Sequence, residues 1–144
     1  MGCSGESRSF PRGRSLNGYL LDTNIVLIAL AAPERLSRAG RAAIQSGPNV
    51  LSVISYWEVS LKSAKGKLDV GDPRLWWAMA LRDFAATALP LRAAHVAEIA
   101  GLQPIHFDPF DRVLIAQAIA EDLVLVTTDE EIPRYASERL RVIR

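Results

Sequence analysis

The sequence predicts an α/β fold, a central and mainly parallel sheet sandwiched by helices, and three observations carry that prediction. Short apolar runs alternate with segments of helical period from Tyr19 to the end of the chain. Two of the runs, Tyr19-Leu20-Leu21 and Leu123 to Val126, end directly in polar turns, Asp22-Thr23-Asn24 and Thr127-Thr128-Asp129. The length, 144 residues with 49% apolar side chains, suits one domain with a substantial core. In such folds ligands bind at the carboxyl ends of the strands, and both Asp22 and Asp129 fall there.

Met1 to Gly18 is rich in Gly, Ser, Arg and Pro without hydrophobic period, and is expected to be a disordered leader or a non-native extension outside the domain at 19–144. After the first strand a helix is expected from Ile25 to about Ala32, ended by Pro33. Glu34 to Gln45 reads as a second helix with Leu36, Ala39, Ala43 and Ile44 inward, and Asn49 to Val53 as the second strand after Gly47-Pro48. Ser55 and Glu58 form a capping-box pattern for a helix to about Lys65, with Trp57, Leu61, Ala64 and Leu68 on one face. Asp72-Pro73 starts the next helix, whose apolar belt around Trp76, Trp77 and Met79 is wider than one core-facing stripe needs. Ala88 to Leu91 reads as a third strand and Ala93 to Leu102 as a helix. Asp108 caps and Pro109 opens the most apolar helix, running to Glu121. Leu123 to Val126, a short helix and a strand near Leu140 to Ile143 complete the chain.

Composition excludes several classes. A net charge of +1 gives no global basic field, so contact with a polyanion needs a local patch or a bound metal. The single cysteine, Cys3, excludes an intrachain disulfide and a cysteine zinc site, and fits a reducing, cytoplasmic setting. No apolar run approaches the roughly 18 residues of a membrane span, and no apolar segment of a signal peptide follows the early basic residues.

The carboxylates carry the chemistry. Asp111 shares a helical stripe with Leu114, Ile115 and Ala118, where an uncompensated charge is costly. Asp22 is functional in preference to capping, because Thr23 and Asn24 are alternative caps beside it. Asp129 divides evenly between the two roles, since Thr127 and Thr128 precede Glu130 and Glu131 at capping-box spacing. Glu58 reads as structural from its spacing to Ser55 and to Lys62 at i+4. Several inward carboxylates in one pocket require protonation or a divalent cation, and an oxygen-only set suits Mg²⁺ or Mn²⁺. Such a site activates water for attack on a phosphodiester.

Leu20-Leu21-Asp22-Thr23-Asn24, Ser55-Tyr56-Trp57-Glu58-Val59, Asp108-Pro109-Phe110-Asp111-Arg112 through Ala118, and Leu125-Val126-Thr127-Thr128-Asp129 occur in the order seen in PIN-domain ribonucleases. The chain most resembles the VapC-like toxins of type II toxin–antitoxin systems, from Tyr19 to Arg144. That resemblance implies a PIN fold with catalytic, metal-holding Asp22, Glu58, Asp111 and Asp129, supported by Asn24 and Thr127, with Asp108 capping or standing behind the site. It also implies a Mg²⁺- or Mn²⁺-dependent endoribonuclease that forms a homodimer and is inhibited by a cognate antitoxin. On the same basis the belt at Trp76, Trp77 and Met79 is a candidate dimer or antitoxin contact, with core packing an equal reading. Lys62, Lys65, Lys67, Arg112 and Arg134 are candidate RNA-backbone contacts.

Two enzymes of similar architecture fit less well. A haloacid-dehalogenase-type phosphotransferase needs a second acid where Asn24 stands, and a dinucleotide-binding enzyme needs a Gly-rich turn after the first strand. The alternative from another class is a catalytically silent PIN-fold scaffold that binds RNA or protein; the four acids argue against it.

Overall fold

The computed structural model describes residues 17–104, 108–137 and 139–144. Cys3, the early arginines and most of the expected leader lie outside the described residues, as do His106 and Phe107. Asn17 and Gly18 already belong to the fold. The Asn17 side chain donates to the Glu121 carbonyl at 2.8 Å, and the Gly18 carbonyl accepts from Val124 N–H.

Five parallel strands form the sheet: β1 (Tyr19–Leu21), β2 (Asn49–Ser52), β3 (Thr87–Leu89), β4 (Val124–Val126) and β5 (Arg141–Ile143), in the order β3-β2-β1-β4-β5. Between β1 and β2 run α1 (Thr23–Ala31), a 3₁₀ turn (Pro33–Arg35) and α2 (Arg38–Ser46). Helices α3 (Val53–Ala64) and α4 (Pro73–Asp83) lead to β3, and α5 (Ala93–Ile99) and α6 (Pro109–Glu121) lead back to β4. A second 3₁₀ turn (Ile132–Tyr135) precedes β5.

This winding follows from handedness. The chain moves one way from β1 through β2 to β3, then reverses to β4 and β5, so right-handed crossovers put the two sets of helices on opposite faces. Alternating strand side chains feed both layers. Leu21, Leu51 and Val126 pack with Ile25, Val26, Val59, Trp76 and Ala80 on one face. Leu20 and Leu125 pack with Leu114, Ile115, Ala118, Ile132 and Leu140 on the other. The order reverses between β1 and β4, which makes their carboxyl ends the topological switch point.

Several local expectations change. The helix expected over 34–45 is a 3₁₀ turn followed by α2, because Ser37 supplies the cap, accepting from Gly40 N–H at 2.9 Å; Ala39 is consequently exposed. β2 ends at Ser52, which caps α3 by accepting from Ile54 N–H at 3.0 Å. Ser55 is therefore no cap; it lies within the helix body. The buried face of α3 is Ile54, Ser55, Glu58 and Val59, and Trp57, Leu61 and Ala64 are exposed. Core packing takes Trp76, and Trp77 stacks on Tyr56 with centroids 5.1 Å apart, whereas Leu75 is 71% exposed. No helix starts at Thr127 or Thr128, so neither heads a capping box.

Helix α5 docks on α6 through polar contacts that sequence reading did not anticipate. Buried His95 accepts Arg92 N–H at Nδ1 (3.0 Å), which leaves Nε2 to donate to the Glu121 carboxylate at 2.7 Å. Among the described residues no helix is long and apolar enough to cross a membrane.

Gly18 is the tightest backbone approach. Its φ is +114°, and a Cβ there would lie 2.3 Å from the Pro48 carbonyl oxygen. Replacement by alanine meets both penalties and is expected to cost at least about 2 kcal/mol in urea unfolding; wild-type stability would contradict this contact.

Candidate functional site

The switch point brings two loops side by side. Leu21 is in register with Val126, and Asp22 N–H donates to the Val126 carbonyl at 3.0 Å, so Asp22 and Thr127 emerge as neighbours. Thr127 donates its hydroxyl to Asp22 Oδ2, while Asp22 Oδ1 accepts from Ile25 N–H at 2.8 Å. Asp22 is thus the N-cap of α1 after all, with one oxygen on the helix and the other on the neighbouring loop. Thr23 and Asn24, the alternative caps, do not serve because the helix already begins at Thr23, whose hydroxyl is engaged with Glu58.

The next loop is ordered by the same threonine. Thr127 Oγ1 accepts from Asp129 N–H at 2.9 Å, and Asp129 Oδ1 in turn accepts from Glu131 N–H at 2.6 Å. Asp129 is held by a turn of its own, without heading a helix.

Glu58 reaches the site from α3 and is only 7% exposed. Thr23 Oγ1 lies 2.7 Å from Glu58 Oε1 and 2.9 Å from Ser55 Oγ. Each hydroxyl has one proton, so Thr23 donates to the carboxylate and Ser55 donates to Thr23. Glu58 Oε2 accepts from Lys62 Nζ at 2.9 Å, the i,i+4 pair legible in the sequence. This hydrogen bond, followed by the charges of Glu58, Asp108 and Asp111, raises the Lys62 pKa against a desolvation effect that lowers it. Lys62 therefore lies in the field of Glu58, Asp108 and Asp111. Its side chain is 46% exposed, so its attraction is screened by water and adds little stability.

Helix α6 supplies the remaining pair. Asp108 is its N-cap, accepting from Phe110 N–H at 2.9 Å and more weakly from Asp111 N–H at 3.3 Å. Asp111 follows in the first turn, half-buried, above Leu114, Ile115 and Ala118 of the core.

Asp22 shows what this convergence costs. It is 3% exposed, and its pKa is raised from 3.8 to about 6. Burial is the largest cause; the hydrogen bonds from Thr127 and Ile25 oppose it, and the charges of Asp111 and Asp129 push the same way as burial. Asp22, Asp111 and Asp129 thus lie within electrostatic reach of one another, and Thr23 ties Asp22's helix to Glu58. Sequence reasoning missed Thr23 and Ser55; the one available signal was a pair of hydroxyl residues beside expected acids.

As a donor set, these groups are hard oxygen ligands with excess negative charge, which fits Mg²⁺ or Mn²⁺ and does not fit zinc. Among the described residues, however, no three His, Cys, Asp or Glu side chains stand close enough together to cage an ion without moving. Beside Thr127 a hollow of about 230 Å³ is lined by Ile25, Arg35, Ser37, Thr128 and Arg144, and Arg144 also pairs with Glu130 at 3.4 Å. Arg112 is committed to the fold, donating to the Gln103 carbonyl at 2.9 Å and lying 3.2 Å from Tyr135 Oη; Arg134 pairs with Glu131 at 2.9 Å.

Because the folded protein holds a proton on Asp22 more tightly than the unfolded chain does, Asp22 favours folding below about pH 4, and that contribution is lost as the pH rises through about 6. In chelator-treated protein, Asp22→Asn is expected to raise stability by roughly 2–3 kcal/mol at pH 7.5 and to change it little at pH 4. Urea unfolding at the two pH values tests this, and an equal effect at both would contradict the charge crowding.

Known proteins are similar to this chain over most of its length. A 26% identical relative, Ribonuclease VapC22 of Mycobacterium tuberculosis, aligns over 121 residues, 83% of this chain and 93% of that protein. The fold is similar to that of chains in DNA-bound VapBC from Salmonella typhimurium (TM-score 0.65, 16% identity), covering 88% of this chain and 96% of that one. VapBC2 from Rickettsia felis, bound to a promoter DNA fragment, gives a TM-score of 0.63 at 19% identity, covering 87% and 96%. FitAcB from Neisseria gonorrhoeae gives 0.59 at 21% identity, covering 88% and 96%. The sequence profile of the PIN domain matches residues 19–138, the span that holds all the acids above, and the chain belongs to the PIN domain family.

Proposed function

We propose that this protein is a VapC-like endoribonuclease, the toxin of a type II toxin–antitoxin pair, which hydrolyses RNA phosphodiester bonds and is silenced by a cognate antitoxin. The observation that carries the reading is Asp22 at the switch point, buried against its own charge within electrostatic reach of Asp111 and Asp129, with the adjoining Thr23 hydrogen-bonded to Glu58. The relative named as a ribonuclease supports the reaction, and the VapBC complexes of the same fold support the antitoxin partner. A homodimer and a cytoplasmic setting belong to the same reading, as does the assignment of residues 19–144 to the PIN domain.

The four acids would hold Mg²⁺ or Mn²⁺, with Asp108 capping α6 behind Asp111. A divalent ion bound there supplies neutralising charge to the phosphodiester and makes water easier to deprotonate. The rest is done by the chain. Thr127 fixes the Asp22 carboxylate from one side and Ile25 N–H from the other, so it presents a set orientation. Thr23 and Lys62 hold the two oxygens of Glu58. Asp129 is held by the turn at Glu131. Lys62 occupies part of the cluster's negative field through its ion pair with Glu58. Arg35, which lines the hollow beside Thr127, favours an incoming polyanion.

Antitoxin-free protein is expected to cleave single-stranded or structured RNA with Mg²⁺ or Mn²⁺ and to stop on adding EDTA. Asp111→Asn is expected to lower cleavage by at least about 100-fold while leaving the fold intact. Full cleavage by that variant would remove Asp111 from the site. Inertness of the wild type on every RNA, with either metal, would favour the silent scaffold. Removal of residues 1–16 is expected to leave cleavage unchanged, and its loss would refute the assigned domain boundary.

A further inference from the structure

One exposed aromatic residue stands beside the acids without a role in the core. Trp57 is 56% exposed, a large apolar surface to leave in water. It immediately precedes Glu58 in α3. Among the described residues its ring contact is with Phe110, at a centroid distance of 5.2 Å and an interplanar angle of 77°. Phe110 immediately precedes Asp111 in α6. The two aromatic residues therefore bridge α3 and α6 beside the two acids those helices contribute. An edge-to-face contact braces the indole at low entropic cost and leaves aromatic surface facing solvent.

The charge on the same helix indicates the class of ligand. Lys65, the C-cap of α3, follows Trp57 by about two turns with Leu61 between them, and Lys67 comes just after it, whereas Lys62 is held by Glu58. Lys65 and Lys67 are both exposed. An aromatic face interleaved with lysines beside a phosphodiester-cleaving site matches single-stranded nucleic acid, whose bases stack and whose phosphates pair with cations. An apolar protein partner would gain nothing from the lysines.

We propose that Trp57, braced by Phe110, is a stacking platform for an unpaired nucleobase of the RNA next to the phosphodiester presented to the acidic cluster. The proposal rests on the ribonuclease reading and adds to it a preference for unstacked RNA at the cleavage position. Stacking is tolerant of base identity, so the platform selects a splayed-out nucleotide more than a sequence.

The test uses the full chain carrying Asp111→Asn, so that binding is read without cleavage. The probes are a short fluorescein-labelled single-stranded oligoribonucleotide of mixed sequence and an abasic strand with the same backbone. Trp57→Ala is expected to weaken binding of the first probe on the order of tenfold and to leave binding of the abasic strand unchanged, with Trp57→Phe retaining most of the affinity. Equal weakening of both probes, or of neither, would overturn the platform. So would a loss of self-association on sedimentation with the base dependence intact, which would give the Trp57 face to a second copy of the chain. If the wild type cleaves no RNA yet the base-dependent loss appears, the ribonuclease reading fails and the platform stands. Cleavage without base-dependent loss gives the converse, and absence of both cleavage and binding refutes both.

Discussion

The constraint on which the rest of this structure depends is the burial of one carboxylate, Asp22, where the sheet reverses its strand order. A charge in that position is opposed by desolvation and by two neighbouring acids, and only hydrogen bonds from Thr127 and Ile25 favour it. Much of the surrounding architecture follows from making the position tolerable. Adjacent parallel strands bring the Thr127 hydroxyl against one oxygen, and the first turn of α1 directs a backbone N–H to the other. The same requirement makes Thr127 a junction, since its oxygen also accepts from Asp129 N–H. Two acids more than a hundred residues apart are thus aligned through one hydroxyl.

A parallel arrangement serves Glu58. Burying this side chain on α3 would be unfavourable if it faced only Ile54 and Val59. Thr23 and Lys62 satisfy its two oxygens, and Ser55 completes the chain of hydroxyls. The consequence for the helix is large, because turning Ser55 and Glu58 inward turns Trp57 and Leu61 outward. Polar satisfaction, more than apolar area, decides the rotation of α3 about its axis. That rotation also creates the exposed aromatic face beside the site.

This explains what was legible in the sequence. The parallel α/β architecture was, because Leu20-Leu21 and Leu125-Val126 read as buried strands and each is followed by a polar turn. The α6 start was legible too, since Asp108-Pro109 carries both a cap and a first-turn residue, and the structure places both as expected. Rotation of α3 was not: Trp57, Leu61 and Ala64 satisfy a helical apolar period, and nothing local reveals that Thr23 will meet Glu58 from 35 residues away. The boundary of α3 shifted for a related reason, as Ser52 and Ser55 are equally good caps in isolation and strand length chose between them. Asp22 was read as free of capping because Thr23 and Asn24 were adjacent substitutes; tertiary contacts claimed Thr23 first. Three of the acids could be singled out by strand ends or by the core stripe, whereas Glu58 needed the family resemblance.

The ion pair between Lys62 and Glu58 bears on the order in which this protein is assembled. Domains built around structural zinc are unfolded until the ion arrives, because nothing else offsets their ligands' mutual repulsion. Here an ammonium group from the same helix stands in the acidic field from the moment α3 forms. The polypeptide can leave the ribosome, fold and be stored with its charges partly balanced by its own side chain. Under the proposed function, loading with an ion would then be a late, reversible event, separate from acquiring shape, and so a point at which the completed protein could be held in reserve.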